Sequence, residues 1–245
     1  MTRFLAMIAA LCMMSMPASS NTLTLTGDDA YPPYSSANLP GQGFLNVLVA
    51  EIFKEAGYEP DIELLPWSRA LAATESADKD VLIGAFYTED RAKIYEYSEP
   101  FYSAETILLA KSDYPVSDYS DFSDLSGAKV GIIQDNAYPG GILDADLDFE
   151  AVTDFTLNLR KLDGGRIDLV VDLTERLRYA AEKSGLDWSQ FKALEPALGA
   201  GVMHITVSKA HPDAEEIISR FNEALASMRE SGRYDEVLTE TGYGQ

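Results

Sequence analysis

The chain is poor in the residues that usually mark catalysis. Cys12 is its single cysteine in 245 residues. Once the first twenty residues are set aside there is none, which excludes disulfides and thiolate chemistry. Histidine is almost as scarce. His204 and His211 stand seven apart, which is no metal-ligand spacing. His204 reads as an ordinary strand residue. There is no G-x-S-x-G elbow, no P-loop and no G-x-G-x-x-G turn. No cofactor, no metal and no enzymatic activity are therefore expected. Basic residues are few, 19 Lys and Arg against 40 Asp and Glu, for a net charge of −21. Such a chain repels nucleic acid, whose binding rests on cations neutralising phosphates. Beyond Met16 no apolar run approaches the ~20 residues of a membrane span. No repeat with a period of 20–50 residues and no Pro-rich or Ser-rich linker divides the chain.

What is present begins with a targeting segment. Arg3 is followed by the apolar run Phe4–Met16 and then by Pro17-Ala18-Ser19-Ser20. This reads as a secretory signal, residues 1–20, cleaved near Ala18 or Ser20 and excluded from the fold. Ala9-Ala10-Leu11 before Cys12 makes a poor lipid-attachment box, so a soluble secreted protein is expected. Without residues 1–20 the net charge is −22. That fits a highly soluble secreted protein, a salty habitat or a cationic ligand, and charge alone does not separate the three.

Strand-like and helix-like segments alternate through the remaining chain. The first set comprises strand Thr22–Thr26, helix Val47–Ala56, strand Asp61–Leu65, a helix capped by Ser68 and running to Thr74, and strand Val81–Ile83. A second set comes next. It has strands Glu105–Lys111 and Lys129–Ile133, a helix near Gly140–Leu143, a helix from the Asp154 cap through Leu162, strand Ile167–Val171 and helix Thr174–Ser184. Strand Val202–Ser208 returns to the first set, and amphipathic helix Asp213–Arg229 closes the chain. This order predicts α/β lobes with mostly parallel sheets flanked by helices. Lobe 1 is expected over 21–103 and 200–245, and lobe 2 over 104–199, with a cleft between them.

Val81–Tyr102, VLIGAFYTEDRAKIYEYSEPFY, is the most informative stretch. It opens as a buried strand, is expected to break at Gly84, and presents Arg91 just beyond. Ligands of open α/β sheets bind outside the carboxyl ends of strands. Arg91 is therefore a candidate clamp, because its planar fork takes a carboxylate by two parallel hydrogen bonds. The alternative is a surface pair with Glu89 or Asp90.

Gly84, Thr88, Arg91, Ser98, Pro100 and Tyr102 fit a pattern, G-x-T-x-T-x-x-R and then S-x-P-Y, that resembles the family 3 extracellular solute-binding proteins. Those are periplasmic receptors of polar amino-acid ABC importers. Phe101 is one residue extra, and Phe86 stands where the pattern has its inner Thr. The resemblance extends to Gly27–Tyr34, to Gly43-Phe44 (with Asn46 in place of an acid), to Leu125–Gly131, to Gly165-Arg166-Ile167-Asp168 and to Glu230–Tyr234. It implies a type II periplasmic-binding-protein fold, two sheets joined by two crossing hinge strands. It implies ligand contacts at Asp28, Tyr31, Trp67, Gly84, Phe86, Arg91, Asn136 and Asp172, with Arg91 on a carboxylate.

Several of these positions stay open. Trp67 either stacks on a ligand or plugs the lobe surface. Asn136 either meets the ligand or makes an Asx-turn. Arg69, a cation in a first helical turn where the macrodipole disfavours it, offers a second anion contact or is solvated. Asp172 lies one residue before the slot of the amine-binding Asp, which Leu173 occupies. Either a bulge corrects its face or the amino-group site is missing. Ala137 and Phe86 are off pattern as well. Phe86, Trp67, Tyr31 and Tyr34 predict an unusually aromatic pocket.

The resemblance implies a monomeric periplasmic protein with a small-molecule partner and an ABC permease in the inner membrane. Two other readings remain within the same fold. One is a secreted lyase of the cyclohexadienyl-dehydratase type, with Asp28 or Asp172 as the acid. The other is a sensory receptor acting on a membrane kinase.

Overall fold

The computed structural model describes residues 21–134 and 138–243. The expected signal segment and Asn136 lie outside them. The strands are β1 (Thr22–Thr26), β2 (Ala30–Tyr31), β3 (Ser35–Ser36), β4 (Glu59–Ile62), β5 (Val81–Phe86), β6 (Tyr95–Tyr97), β7 (Tyr102–Lys111), β8 (Lys129–Ile133), β9 (Asp148–Val152), β10 (Leu169–Leu173) and β11 (Phe191–Ser208). The helices are α1 (Phe44–Glu55), α2 (Trp67–Glu75), α3 (Phe155–Asp163), α4 (Thr174–Ser184), α5 (Ala214–Ser231) and α6 (Arg233–Glu240).

β1 pairs in parallel with β4 and β5, and β8 pairs in parallel with β9 and β10. These two parallel groups are the halves anticipated from the alternation of segments. They are joined by antiparallel pairing of β5 with β11, β11 with β7, and β7 with β10. The expected two sheets are thus hydrogen-bonded into one curled sheet, in the order β4-β1-β5-β11-β7-β10-β8-β9. The β7–β11 ladder is interrupted between Leu194 and Gly199, and regular pairing resumes from Gly199 opposite Thr106 to Met203 opposite Tyr102.

The cores reflect the two-residue period of the strands. Ile107 and Leu109 of β7 pack with Val170, Leu159 and Leu177 on one face, while Leu108 and Ala110 pack with Leu169, Val171 and Val130 on the other. Strands buried on both faces read as continuous apolar runs, which is why β7 and β10 are conspicuous in the sequence. A separate and larger core draws on α1, α5, β1, β5 and the far part of β11.

Some local expectations are corrected. α1 begins at Phe44 rather than Val47. β9 was not anticipated, and the helix near Gly140 is a short 3-10 segment, Pro139–Asp144. Ser68 does not cap α2; the helix begins at Trp67 after Pro66 and has no side-chain cap. Asp154 does cap α3, its Oδ1 accepting from the Thr156 N–H at 2.9 Å. Strand β5 does not break at Gly84. It bulges there: Leu82 faces Thr206, Ala85 faces His204, and Gly84 takes φ +79. A bulge with glycine at positive φ bends a strand and re-aims its carboxyl end, here the approach to Arg91.

Gly43 precedes α1 at φ 109 and ψ 152, a conformation open to glycine alone. A Cβ there would lie 2.5 Å from the Tyr34 carbonyl oxygen. Gly43→Ala is expected to cost about 3 kcal/mol, read as a melting midpoint lowered by roughly 6–12 °C for a chain of this size. A midpoint unchanged in calorimetry would contradict the tight approach of α1 to Tyr34.

Candidate functional site

A cavity of about 420 Å³ opens where the carboxyl ends of β5 and β10 meet the paired part of β7 and β11. Asp28, Tyr31, Trp67, Gly84, Phe86, Arg91 and Asp172, each singled out in the sequence, all line it.

Arg91 sits in a 3-10 turn after β5, its backbone N–H bonded to Thr88 Oγ1 at 3.2 Å. Nη1 donates to the Phe86 carbonyl at 3.2 Å, and the guanidinium lies 5.3 Å from the centroid of the Trp67 ring. Trp67 is therefore a wall of the cavity rather than a plug on the outer surface. The surface pairing envisaged for Arg91 is not made. Asp90 pairs with Lys93 at 2.7 Å, and among the described residues Arg91 has no ion-pair partner. Its fork is steadied by a carbonyl and a ring, neither of which neutralises its charge.

Phe86 takes the place of a hydroxyl with an apolar ring. The ring lies so close to the backbone of β11 that a Cβ at Gly201 would come within 2.7 Å of Phe86 Cε1. Asn46, found where an acid was expected, is fully buried. It donates to Ser35 Oγ at 3.0 Å and to the Gln42 carbonyl at 2.7 Å, fixing β3 against α1.

On the opposite wall, β10 pairs with β7 in unbroken register through Asp172 and Leu173. No bulge is present, yet Asp172 reaches the cavity because it lies at the end of its strand, beside Leu173. Its Oδ1 accepts the Leu173 N–H at 2.8 Å and stands 3.6 Å from Nε of Arg176. Burial pushes the Asp172 carboxyl up from its usual range, and Arg176 and the Leu173 N–H only partly oppose this. Asp28 is also raised, first by burial and further by the charge of Asp29, while the Ala30 N–H works against the shift. Tyr31 is pushed up to about 12 by burial, with Arg176 opposing.

Two charged groups at or near the cavity are not evident in the sequence. Arg176, in the first turn of α4, lines the cavity beneath Tyr31. A cation there is disfavoured by the helix dipole. The same misfit drew attention to Arg69, which is exposed and is not among the lining residues. The signal was present at both arginines, and only the four-residue spacing from Asp172 marks Arg176 as the one that faces the site. Glu175 joins the halves. Tyr34 OH donates to its Oε2 at 2.5 Å and Tyr102 OH to its Oε1 at 2.9 Å. Burial and then the nearby carboxylate hold both phenols far above their usual range, so both remain donors. Among the described residues no cluster of His, Cys, Asp or Glu could hold a metal ion, and no helix is long and apolar enough to cross a membrane.

A cleft flanked by two α/β halves, with an unpaired arginine on its wall, defines a solute-binding protein of the two-lobed type. The chain belongs to the bacterial extracellular solute-binding proteins, family 3, matched over residues 23–241. It is similar to a probable histidine-binding protein of Neisseria gonorrhoeae, 24% identical over 84% of this chain and 78% of that one. It is similar also to the ABC transporter arginine-binding protein 1 of Escherichia coli K12, 24% identical over 84% of this chain and 85% of that one. Substrate-binding domain 2 of Lactococcus lactis GlnP, in an open conformation, superposes with a TM-score of 0.75 at 22% identity, covering 91% of this chain and 96% of that one. The type II periplasmic-binding-protein fold expected from the resemblance is the one observed.

A hydrogen bond to a carboxylate contributes roughly 1.5–3 kcal/mol. A double-mutant cycle on Tyr34→Phe and Glu175→Gln, read by denaturant unfolding, is expected to give a coupling of that order. Additive single-mutant effects would mean that this contact between the halves carries no stability.

Proposed function

We propose that the protein is a periplasmic receptor that closes on a small carboxylate-bearing solute and passes it to an ABC importer in the inner membrane. It is proposed to act as a monomer, delivered by cleavage of residues 1–20. The observation that carries this reading is Arg91, an arginine on the cavity wall with one carbonyl as its hydrogen-bond acceptor and, among the described residues, no ion-pair partner. A half-buried cation without a counter-ion is costly, and a ligand carboxylate supplies one. The names of the relatives, histidine-binding and arginine-binding, support an amino acid or similar organic acid. Asp28, Tyr31, Trp67, Gly84, Phe86 and Asp172 are assigned as the remaining contacts. Asp172 faces Arg176 Nε at 3.6 Å and accepts the Leu173 N–H, so recognition of an α-amino group is not assigned to it.

Closure is proposed as rotation of lobe 1 (21–103 and 200–245) against lobe 2 (104–199). The hinges are Tyr102-Ser103-Ala104 and Leu198-Gly199-Ala200. Their pairing in β7 and β11, next to the interrupted part of that ladder, supports this placement.

A bidentate pair lost in Arg91→Ala is expected to weaken binding about 100-fold or more, with Arg91→Lys falling in between and the melting temperature little changed. Calorimetric titration together with a melting curve reads both. Intact affinity in Arg91→Ala would remove the central residue of the proposal. Small-angle scattering should show a smaller radius with ligand than without, and a ligand that raises the melting temperature at constant radius would contradict hinge closure.

The raised Asp172 carboxyl favours a second reading, a lyase in which that acid protonates a leaving hydroxyl, which departs as water. Turnover of a cyclic dienyl acid, followed by absorbance and lost in Asp172→Asn, would replace the receptor reading.

A further inference from the structure

We propose that Arg176 is a second anion-holding residue of the cleft, and that the ligand is a dicarboxylate spanning Arg91 and Arg176. This rests on the carboxylate reading of Arg91 and extends it to the substrate class.

The two arginines come from opposite walls, Arg91 from the turn after β5 and Arg176 from the start of α4, and both line the same cavity. Arg176 is held between two rings, with its guanidinium carbon 4.6 Å from the Phe155 centroid and 5.5 Å from that of Tyr31. Rings packed against a guanidinium restrict the plane of its fork and leave its edge as the direction of hydrogen bonding. That edge is poorly used. Among the described residues Nε is buried without a hydrogen-bond partner. The nearest carboxylate oxygen, Asp172 Oδ1, is 3.6 Å away, too far for a hydrogen bond, and already accepts the Leu173 N–H. An ion pair this buried is stable when its donors are satisfied, and here the Arg176 Nε is not. α4 has no side-chain cap at its N-terminus, and the acid of its first turn, Glu175, is taken up by the Tyr34 and Tyr102 hydroxyls. A second carboxylate would complete this wall as the first completes Arg91.

Burial raises the Asp172 carboxyl from its usual range, with Arg176 opposing. Tyr31, Phe86 and Trp67 line the cavity together with the two arginines, so a ligand with two carboxylates and a hydrocarbon spacer would meet rings as well as cations there. The net charge of −21 does not oppose this. Exposed charges more than about 8–10 Å away are largely screened at physiological salt, whereas the arginines act at contact.

The test is a calorimetric series on the full mature chain. The probes are straight-chain dicarboxylates from succinate to azelate, L-aspartate and L-glutamate, each beside its monoamide. At least one diacid is expected to bind about tenfold or more tightly than its monoamide. Arg176→Gln should bring that ratio to within about twofold of one, and Arg176→Lys, which keeps the charge and loses the fork, should leave an intermediate ratio. A structural role for Arg176 would shift both affinities together and leave the ratio intact, and that result overturns the proposal. So does a series in which no diacid binds, or in which a monoamide equals its diacid in the unmodified protein. Arg91→Ala separates the two readings. If it leaves affinity unchanged while Arg176→Gln still removes the diacid preference, the Arg91 assignment fails and the Arg176 assignment stands.

Discussion

The antiparallel pairing of β7 with β11 is the constraint on which the molecule's organisation depends. The two parallel strand groups have no ladder of their own between them, and every hydrogen-bonded route from β1 to β8 runs through this pair. The chain passes from one half to the other along β7 and returns along β11. The cleft therefore sits where the carboxyl ends of strands from both groups converge on the same two strands. β11 can serve both halves because it is 18 residues long and its pairing lapses midway, so each end keeps the twist of its own group.

The cavity concentrates charge that the rest of the interior avoids. Two arginines and two aspartates line it, set among aromatic rings. The imbalance lies in how they are partnered. Asp172 and Arg176 face each other imperfectly, and Arg91 faces a carbonyl and an indole. Such groups are costly to bury in a protein that needs only to be stable. The other ion pairs among the described residues lie mostly at the surface.

Much of this is legible in the sequence, and the reasons differ by element. β1, β8 and α4 are found at their expected bounds, because β-branched and apolar runs between turn signals specify strands and Gly185 ends α4 in the left-handed region. Arg91 is legible from an arginine placed after an apolar strand. The features that escape are those that depend on pairing. The bulge at Gly84 looks like a break in a single sequence, since only the register against β11 distinguishes the two. The long β11 reads as its second half alone, since Glu195-Pro196 interrupts its apolar alternation. Glu175 and Arg176 read as the solvated start of a helix. Nothing local shows that Tyr34 and Tyr31, some 140 residues earlier, will lie against them.

The contact between Phe86 and Gly201 bears on how such a receptor can diverge. The ring that narrows one side of the cavity is seated on bare backbone of β11. Any side chain at position 201 must push that ring inward, reducing the room for a ligand without altering a single charged group. The width of the cleft is thus controlled from a strand beneath it, while its charge is controlled from the turn after β5 and the start of α4. Size selection and charge selection can drift independently in descendants of this chain, and a change of cargo need not begin at a residue that touches the cargo.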